Sequence, residues 1–250
     1  TTFIGDSSVF DYMDFPVVTD RELEFFELCW PQIESMNWSN LRLESIPESS
    51  PTLTHLVDIA RANGHEVLVT ETDKTPYAAL PEQWEEYLLN LRKKDRHELR
   101  RKIRRLEAGA SYRQYESDNT VEMMDEFFRL MRLSSDEKSN FLIKENIIFF
   151  TDIAAELTKR GQFKLFFLEI DDVNVAACIC FDYEGKFLLY NSGYDPQYSS
   201  LSIGLINKAF TINTAIEQGK SEYNFLKGIE RYKYHLGAKD RSVFDIQVSR

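Results

Sequence analysis

The chain has 250 residues and a formal net charge of −11, a length that fits one large domain or two of about 125 residues. Its 43% hydrophobic and 13% aromatic content supplies a core and excludes wholesale disorder, and 10 glycines and 7 prolines exclude collagen-like and linker-like classes. The longest uncharged, mainly apolar run, residues 173–181, falls far short of the ~18 residues of a spanning helix, and the acidic balance argues against a dedicated nucleic-acid binder.

In chain order, residues 10–18 (FDYMDFPVV) read as a short strand, and Asp20 caps a helical pattern carrying Leu23, Phe26 and Trp30. Residues 41–46 alternate like a half-buried strand. Ser50-Pro51 opens a helix with Leu53, Leu56, Val57 and Ala60 on one face, closed by Asn63-Gly64, and 65–72 is the next strand. The segment DKTPYAALP (73–81) marks a boundary, so we expect a partial first half over 1–75, a linker over 76–84 and a complete second domain over 85–250.

A helix over 82–91 leads into residues 92–105, RKKDRHELRRKIRR. Nine Lys/Arg against Asp95 and Glu98 put +7 into fourteen residues and leave −18 on the other 236. This basic helix ends near Gly109. A strand over 111–116 and helices over 121–133 and 146–160 follow, with the polar loop SSDEKSN between the helices. Strands over 163–170, 173–183 and 186–194 are joined by Asp171-Asp172 and Glu184-Gly185, two-residue turns that connect antiparallel neighbours. A helix over 203–218, a strand over 222–226, a short helix over 230–236 and a strand over 243–248 complete the chain. The last five elements repeat the order of the first third.

Cys29, Cys178 and Cys180 are odd in number and lack a CxxC pattern, and the four histidines show no ligand spacing, so no metal site is expected. The opening residues contain no basic segment followed by an apolar one, which makes a cytoplasmic location the default expectation. A strand–loop–helix unit offers backbone N–H groups and a positive dipole end to a phosphate. The candidate loop is residues 199–204, where Ser202 can cap or donate and Gly204 lets a ligand approach. An ordinary capped helix is the competing reading.

Three segments, LLNLRKKDRHELRRKIRR, FFLEIDDVNVAACICFDYEGKFLLYNSGYDPQY and GLINKAFTINTAIEQGKSEYNFLKGIERYK, resemble the GNAT-superfamily acetyltransferase-like domain of cellulose- and exopolysaccharide-associated proteins. That domain is related to the Fem-type aminoacyltransferases, which carry tandem GNAT folds. The resemblance spans residues 84–233, and DYMDFPV is similar to the family's first half. It implies an α/β (α+β) fold with a mixed, mostly antiparallel sheet flanked by helices, in tandem halves of which the first is incomplete.

The resemblance also implies a site. Acyl-CoA would lie where strands 186–194 and 222–226 splay, contacting Tyr190 and Ser192, with its pyrophosphate at Ser202, Ile203 and Gly204. The family pattern Arg/Gln-x-x-Gly-x-Gly/Ala is met only at Gly204. Tyr232 would protonate the leaving thiolate, Glu230 would serve as base and Asp195 as the second candidate. Lys233 of the Tyr232-Lys233 pair would bind an anionic group of the acceptor. Asn224 stands where the family usually carries Asp. Arg100 and Arg104, four apart on one helix face, would clamp a phosphate or uronate, against the alternative of a solvated face paired with acidic groups.

These residues point first to an acyl-CoA-dependent N- or O-acyltransferase acting on a sugar, sugar nucleotide or peptide-like acceptor in envelope or exopolysaccharide synthesis. The second reading is a Fem-like transferase that binds aminoacyl-tRNA through the basic helix. The third is a non-catalytic binding module that keeps the fold.

Overall fold

Hydrophobic spacing and turn chemistry become elements along most of the chain. The computed structural model describes residues 1–5 and 9–250. In order it forms α1 (Glu22–Ser35), β1 (Asn40–Pro47), α2 (His55–Ala62), β2 (Glu66–Lys74), β3 (Tyr77–Ala79), α3 (Trp84–Asn90), α4 (Lys93–Gly109), β4 (Tyr112–Glu116), α5 (Met124–Ser134), α6 (Asp136–Phe141), α7 (Lys144–Thr158), β5 (Phe163–Ile170), β6 (Val173–Tyr183), β7 (Lys186–Tyr194), α8 (Ile203–Glu217), β8 (Glu222–Asn224), α9 (Arg231–His235) and β9 (Ser242–Ser249). The chain divides into two units, one of Thr1–Pro76, Lys227–Ile229 and Asp240–Arg250, the other of Tyr77–Leu226 and Glu230–Lys239.

The first unit holds a three-stranded antiparallel sheet in the order β1-β9-β2. Phe26, Trp30 and Ile33 of α1 and Leu56, Val57 and Ala60 of α2 pack on Leu41, Leu43, Ile46, Ile246 and Val248. Three expectations are corrected here. Residues 10–18 form no strand, although Met13 N–H donates to the Ser45 carbonyl at 3.0 Å; Pro16 has no donor to give. Phe15 instead packs edge-on against Phe3, Phe25 and Phe26. Asp20 does not cap α1, because it adopts φ 66° one residue before the N-cap Arg21. The helix also runs through Pro31, since the buried face of Trp30 and Ile33 outweighs the lost bond. The five-element repeat of order therefore lacks its first strand.

The contact units also divide the chain differently from 1–75, 76–84 and 85–250. The final strand, β9, is the central strand of the first unit, and β3, within the segment read as linker, pairs with β8 in the second.

The second unit carries a six-stranded sheet, β3-β8-β7-β6-β5-β4, antiparallel throughout except for β7 with β8. This is the mixed, mostly antiparallel sheet flanked by helices that the sequence implies. Asp171 and Asp172 at φ 47° and 64°, and Glu184 and Gly185 at 48° and 73°, build the turns between β5, β6 and β7; positive φ at both central positions matches strand twist. Phe166, Cys178, Cys180, Phe187 and Leu189 of the sheet pack against Ala209, Ile212 and Ala215 of α8 and Tyr87, Leu88 and Leu99 of α3 and α4. The polar run read as a loop contains α6 instead. Ser135 caps it by accepting the Lys138 N–H at 3.2 Å, and Asp136 and Glu137 fill the first turn.

Two close fits set the working parts of this unit. A Cβ added at Gly193 of β7 would lie 2.4 Å from the Met131 nitrogen, so α5 presses directly on the strand. At the end of β8, Asn224 Oδ1 accepts the Leu226 N–H at 2.8 Å and its Nδ2 donates to Glu222 at 3.3 Å, while Leu226 takes φ 56°. This side-chain turn stops the strand.

Gly193→Ala is expected to cost about 1–3 kcal/mol through overpacking, read as a lower midpoint in denaturant. Asn224→Asp would lose the amide donor and place a carboxylate beside buried Glu222. We expect a loss of about 1–3 kcal/mol at neutral pH, shrinking as pH falls and one carboxyl of the close pair takes a proton. A loss independent of pH would contradict this account.

Candidate active site

The parallel pair β7 and β8 is short. Partners run only from Lys186↔Glu222 to Leu188↔Asn224, whereas β7 continues to Tyr194, so the strands part beyond Leu188. Between the pairs Cys180↔Leu189 and Ile179↔Asn191 the register slips, which makes Tyr190 the extra residue of a bulge. Its ring packs between Phe150 of α7 and Phe181 of β6.

Past the bulge, Asp195 N–H reaches the Val175 carbonyl at 2.8 Å, so odd-numbered residues of this stretch bond to β6. The polar groups of Ser192 therefore point to the opposite edge, where β8 has turned away. Side chains take both: Ser192 N–H donates to Asn191 Oδ1 at 2.8 Å, and its carbonyl accepts from the Lys138 ammonium of α6. Lys208 of α8, 6% exposed, donates to the Gly204 carbonyl at 3.1 Å and stands 4.9 Å over the ring of Tyr232. Asn207 donates to Cys178 Sγ at 3.4 Å, and its Oδ1, fully buried, has no hydrogen-bond partner among the described residues.

Burial holds the Tyr232 hydroxyl well above the ordinary phenol range, with Glu230 adding to the effect, so the group is protonated at neutral pH. Burial and the neighbouring charge of Lys208 pull the Lys138 ammonium down to about 8. Burial also raises Cys178 and Cys180, which keeps both free thiols inert. Glu230, the residue before α9, is half-exposed and pairs with Lys233 at 2.9 Å. Lys233 is 1% exposed and also donates to the Leu226 carbonyl at 3.1 Å, which fixes the turn that ends β8. Asn224 serves the same turn.

The start of α8 lies beside the basic helix. Ser202 sits at φ 59° and accepts from Lys102 at 2.8 Å, and Arg105 donates to the Ser200 carbonyl at 3.0 Å. Ile203 is fully buried beside Leu106 and Leu168. Gly204 is small for a local reason, since an added Cβ would lie 3.2 Å from the Tyr194 ring. Asp195 caps the short 3-10 turn Pro196–Leu201 by accepting the Gln197 N–H at 2.9 Å. A groove of about 770 Å³ runs along α4, with Lys94, Glu98 and Lys102 on one wall and Tyr232, Tyr234 and His235 on the other. Hydrogen bonds from Arg101, then Lys102, hold the Glu98 carboxyl down at about 2.

The structure thus leaves Ser192 on the parted stretch of β7, Tyr232 on the wall of the groove beneath Lys208, Glu230 before α9 on Lys233, and Ser202 and Gly204 at the start of α8. Arg100 and Arg104 line a separate cleft with Trp84, Glu85 and His97, and Arg100 pairs with Glu85 at 2.6 Å. The groove is served instead by Lys94 and Lys102. Sequence reasoning missed these, along with Lys138 and Lys208. For Lys208 the sign was a lone cation inside the apolar run GLINKAFTIN. Among the described residues no cluster could hold a metal ion, and no helix is long and apolar enough to cross a membrane.

No curated protein matches the sequence. Among solved structures the chain is similar in fold to FemX, at TM-score 0.70 and 12% identity over 93% of this chain and 78% of that one. A conserved protein of unknown function from Bacteroides thetaiotaomicron VPI-5482 follows at 0.62 and 13%, over 92% and 76% of the two chains. The C-terminal domain assigned to a lysylphosphatidylglycerol synthetase of Agrobacterium fabrum gives 0.61 and 12%, over 90% and 73%. Residues 93–234, more than half of the chain, match the acetyltransferase (GNAT) domain, and the chain belongs to that family.

Proposed function

We propose that the chain transfers an acyl group from an activated donor to an amine or hydroxyl of a sugar, sugar nucleotide or peptide-like acceptor, of the kind used in envelope or exopolysaccharide synthesis. The observation that carries this reading is the parting of β7 from β8 beyond Leu188 in a chain of the GNAT family, with the protonated, half-buried Tyr232 hydroxyl on the wall of the groove along α4. The acceptor nitrogen or oxygen attacks the acyl carbon, and the bond from that carbon to the donor's sulfur or oxygen breaks. Tyr232 hands its proton to the leaving atom. The proton of the acceptor passes to Glu230, which is half-exposed and can return it to water. Ser192, Ser202, Gly204 and Lys102 would border the donor.

Acyl-CoA is the donor on the first reading, with its phosphates at the start of α8 and at Lys102. The second reading, an aminoacyl ester of tRNA, is favoured by the Ser192 edge, which is already taken by Asn191 and Lys138 rather than open to a pantetheine arm. The fold likeness to FemX also supports it. On that reading the basic face of Arg100 and Arg104 would meet phosphates outside the groove.

Tyr232→Phe should lower kcat by about 10²–10⁴-fold with the melting temperature unchanged, in steady-state assays with the accepted donor. Retained turnover would remove the assigned role. Acetyl-CoA or a longer acyl-CoA should raise the melting temperature on the first reading, and Lys102→Met should raise KM more than it lowers kcat. On the second, affinity for charged tRNA should fall steeply with salt, and Arg100→Ala and Arg104→Ala should each flatten the log–log slope by about 1. Salt-insensitive tRNA binding would eliminate that donor, and turnover with neither donor would leave a binding module.

A further inference from the structure

Lys138 and Lys208 reach the parted strands from different helices, α6 and α8, and both ammonium groups rest on backbone carbonyls rather than on acids. Among the described residues neither forms an ion pair with a carboxylate. The charged and titratable groups around Lys138 are Lys208, Cys178, Glu230 and Glu137. Cys178 is buried and un-ionised, and Glu230 is turned to Lys233 at 2.9 Å. Two like charges thus share a poorly hydrated place without a counter-ion, an arrangement that costs the fold unless something anionic enters. Beside them Asn207 Oδ1 is a fully buried acceptor with no partner, suited to an N–H or O–H carried by the same ligand. The Tyr232 ring, the Ser192 carbonyl of β7 and the Gly204 carbonyl in the first turn of α8 surround this spot.

We propose that Lys138 and Lys208 form a subsite for a compact oxyanion, a carboxylate or phosphate, borne by the substrate group that enters between β7 and β8. This rests on the transferase reading for its place in the reaction, but the anion is bound whether or not transfer occurs. An oxyanion between the ammoniums offsets their repulsion and returns Lys138 to its fully charged form. Binding therefore takes up protons where free Lys138 is half-charged and takes up none well below that pH.

The test is isothermal titration calorimetry on the full chain, without any acyl donor, using inorganic phosphate in one arm and acetate in the other at fixed ionic strength. Each arm is run at pH 8 and pH 6 in two buffers of different ionisation heat. Saturable binding is expected with uptake of up to about 0.5 proton at pH 8, as a group titrating at about 8 requires, and with close to none at pH 6 in the acetate arm, the phosphate arm at pH 6 carrying the ion's own titration as well. Lys208→Met and Lys138→Met should each raise Kd at least tenfold. Lys159→Met, on an exposed pair with Glu156, should leave it unchanged. Saturation by phosphate alone or acetate alone assigns the oxyanion. No saturable binding, no proton uptake at pH 8, or a Kd unmoved by both variants overturns the proposal. Should either variant fail to fold, the uptake measured on the unaltered chain decides. Because no transfer is measured, an inactive protein that binds the anion refutes only the function, and an active one that does not bind refutes only the subsite.

Discussion

The hydrogen bond from the Leu226 amide to the Asn224 side chain decides where β8 stops, and most of the site follows from that stop. A strand that turns away leaves its neighbour with unpaired backbone groups, and buried backbone groups need partners. Along β7 those groups belong to Ser192, and the chain supplies them from Asn191 and Lys138. Lys138 can reach the edge because Gly193 lets α5 lie against the strand and the Ser135 cap starts α6 directly afterwards. Lys233 holds the same turn from α9 through the Leu226 carbonyl and, by pairing with Glu230, fixes the residue before that helix. One side-chain turn, two buried lysines and a missing Cβ thus form a single mechanical unit.

Charge is arranged against the impression left by the net figure. The basic helix is only partly neutralised where it stands: Arg92 pairs with Asp95, Arg100 with Glu85, and Arg101 and Lys102 share Glu98. Such exposed pairs add little stability, and three carboxylates against nine cations leave the helix strongly positive. Its cations face three places: Lys102 and Arg105 the loop before α8, Arg92 and Lys94 the groove, and Arg96, Arg100 and Arg104 the separate cleft. The buried positive charge lies elsewhere, on elements with no basic run.

Legibility in the sequence followed the range of the interactions involved. The strands β5, β6 and β7 carry their own marks, apolar runs joined by Asp171-Asp172 and Glu184-Gly185, and their bounds match those expected. Helix α8 and strand β8 are equally local. The place of β9 could not be read, because its residues state only that they form a strand, while its partners β1 and β2 lie about 170–210 positions away in sequence. The strand expected at 10–18 failed for the converse reason: an extended, aromatic segment with Pro16 satisfies packing without a ladder. In the site, Tyr232, Glu230 and Ser202 were visible through family motifs. Lys138 was hidden in a run that looked like solvent-facing loop, although Ser135 followed by Asp136 and Glu137 is a helix start. Arg100 and Arg104 shared a helix face as spacing requires, but spacing alone does not say which face meets the groove.

The electrostatics also bear on what kind of acyl group suits this fold. If the acyl carbon sits where the strands part, its substituents lie among Tyr232, Lys208 and Lys138. The α-ammonium of an aminoacyl ester would then face two like charges in a place with little water to screen them, whereas a carboxylate or phosphate at the same distance would be held by both. A neutral acetyl group would relieve neither lysine. Tyr232 joins the two parts of this argument. Lys208 stands over its ring face, where a cation is attracted without taking the hydroxyl proton. Burial keeps the phenol protonated while the ammonium beside it rests on the Gly204 carbonyl. A substrate that neutralises the lysines would leave that acid in place for the leaving atom, so recognition and proton delivery would share one ring.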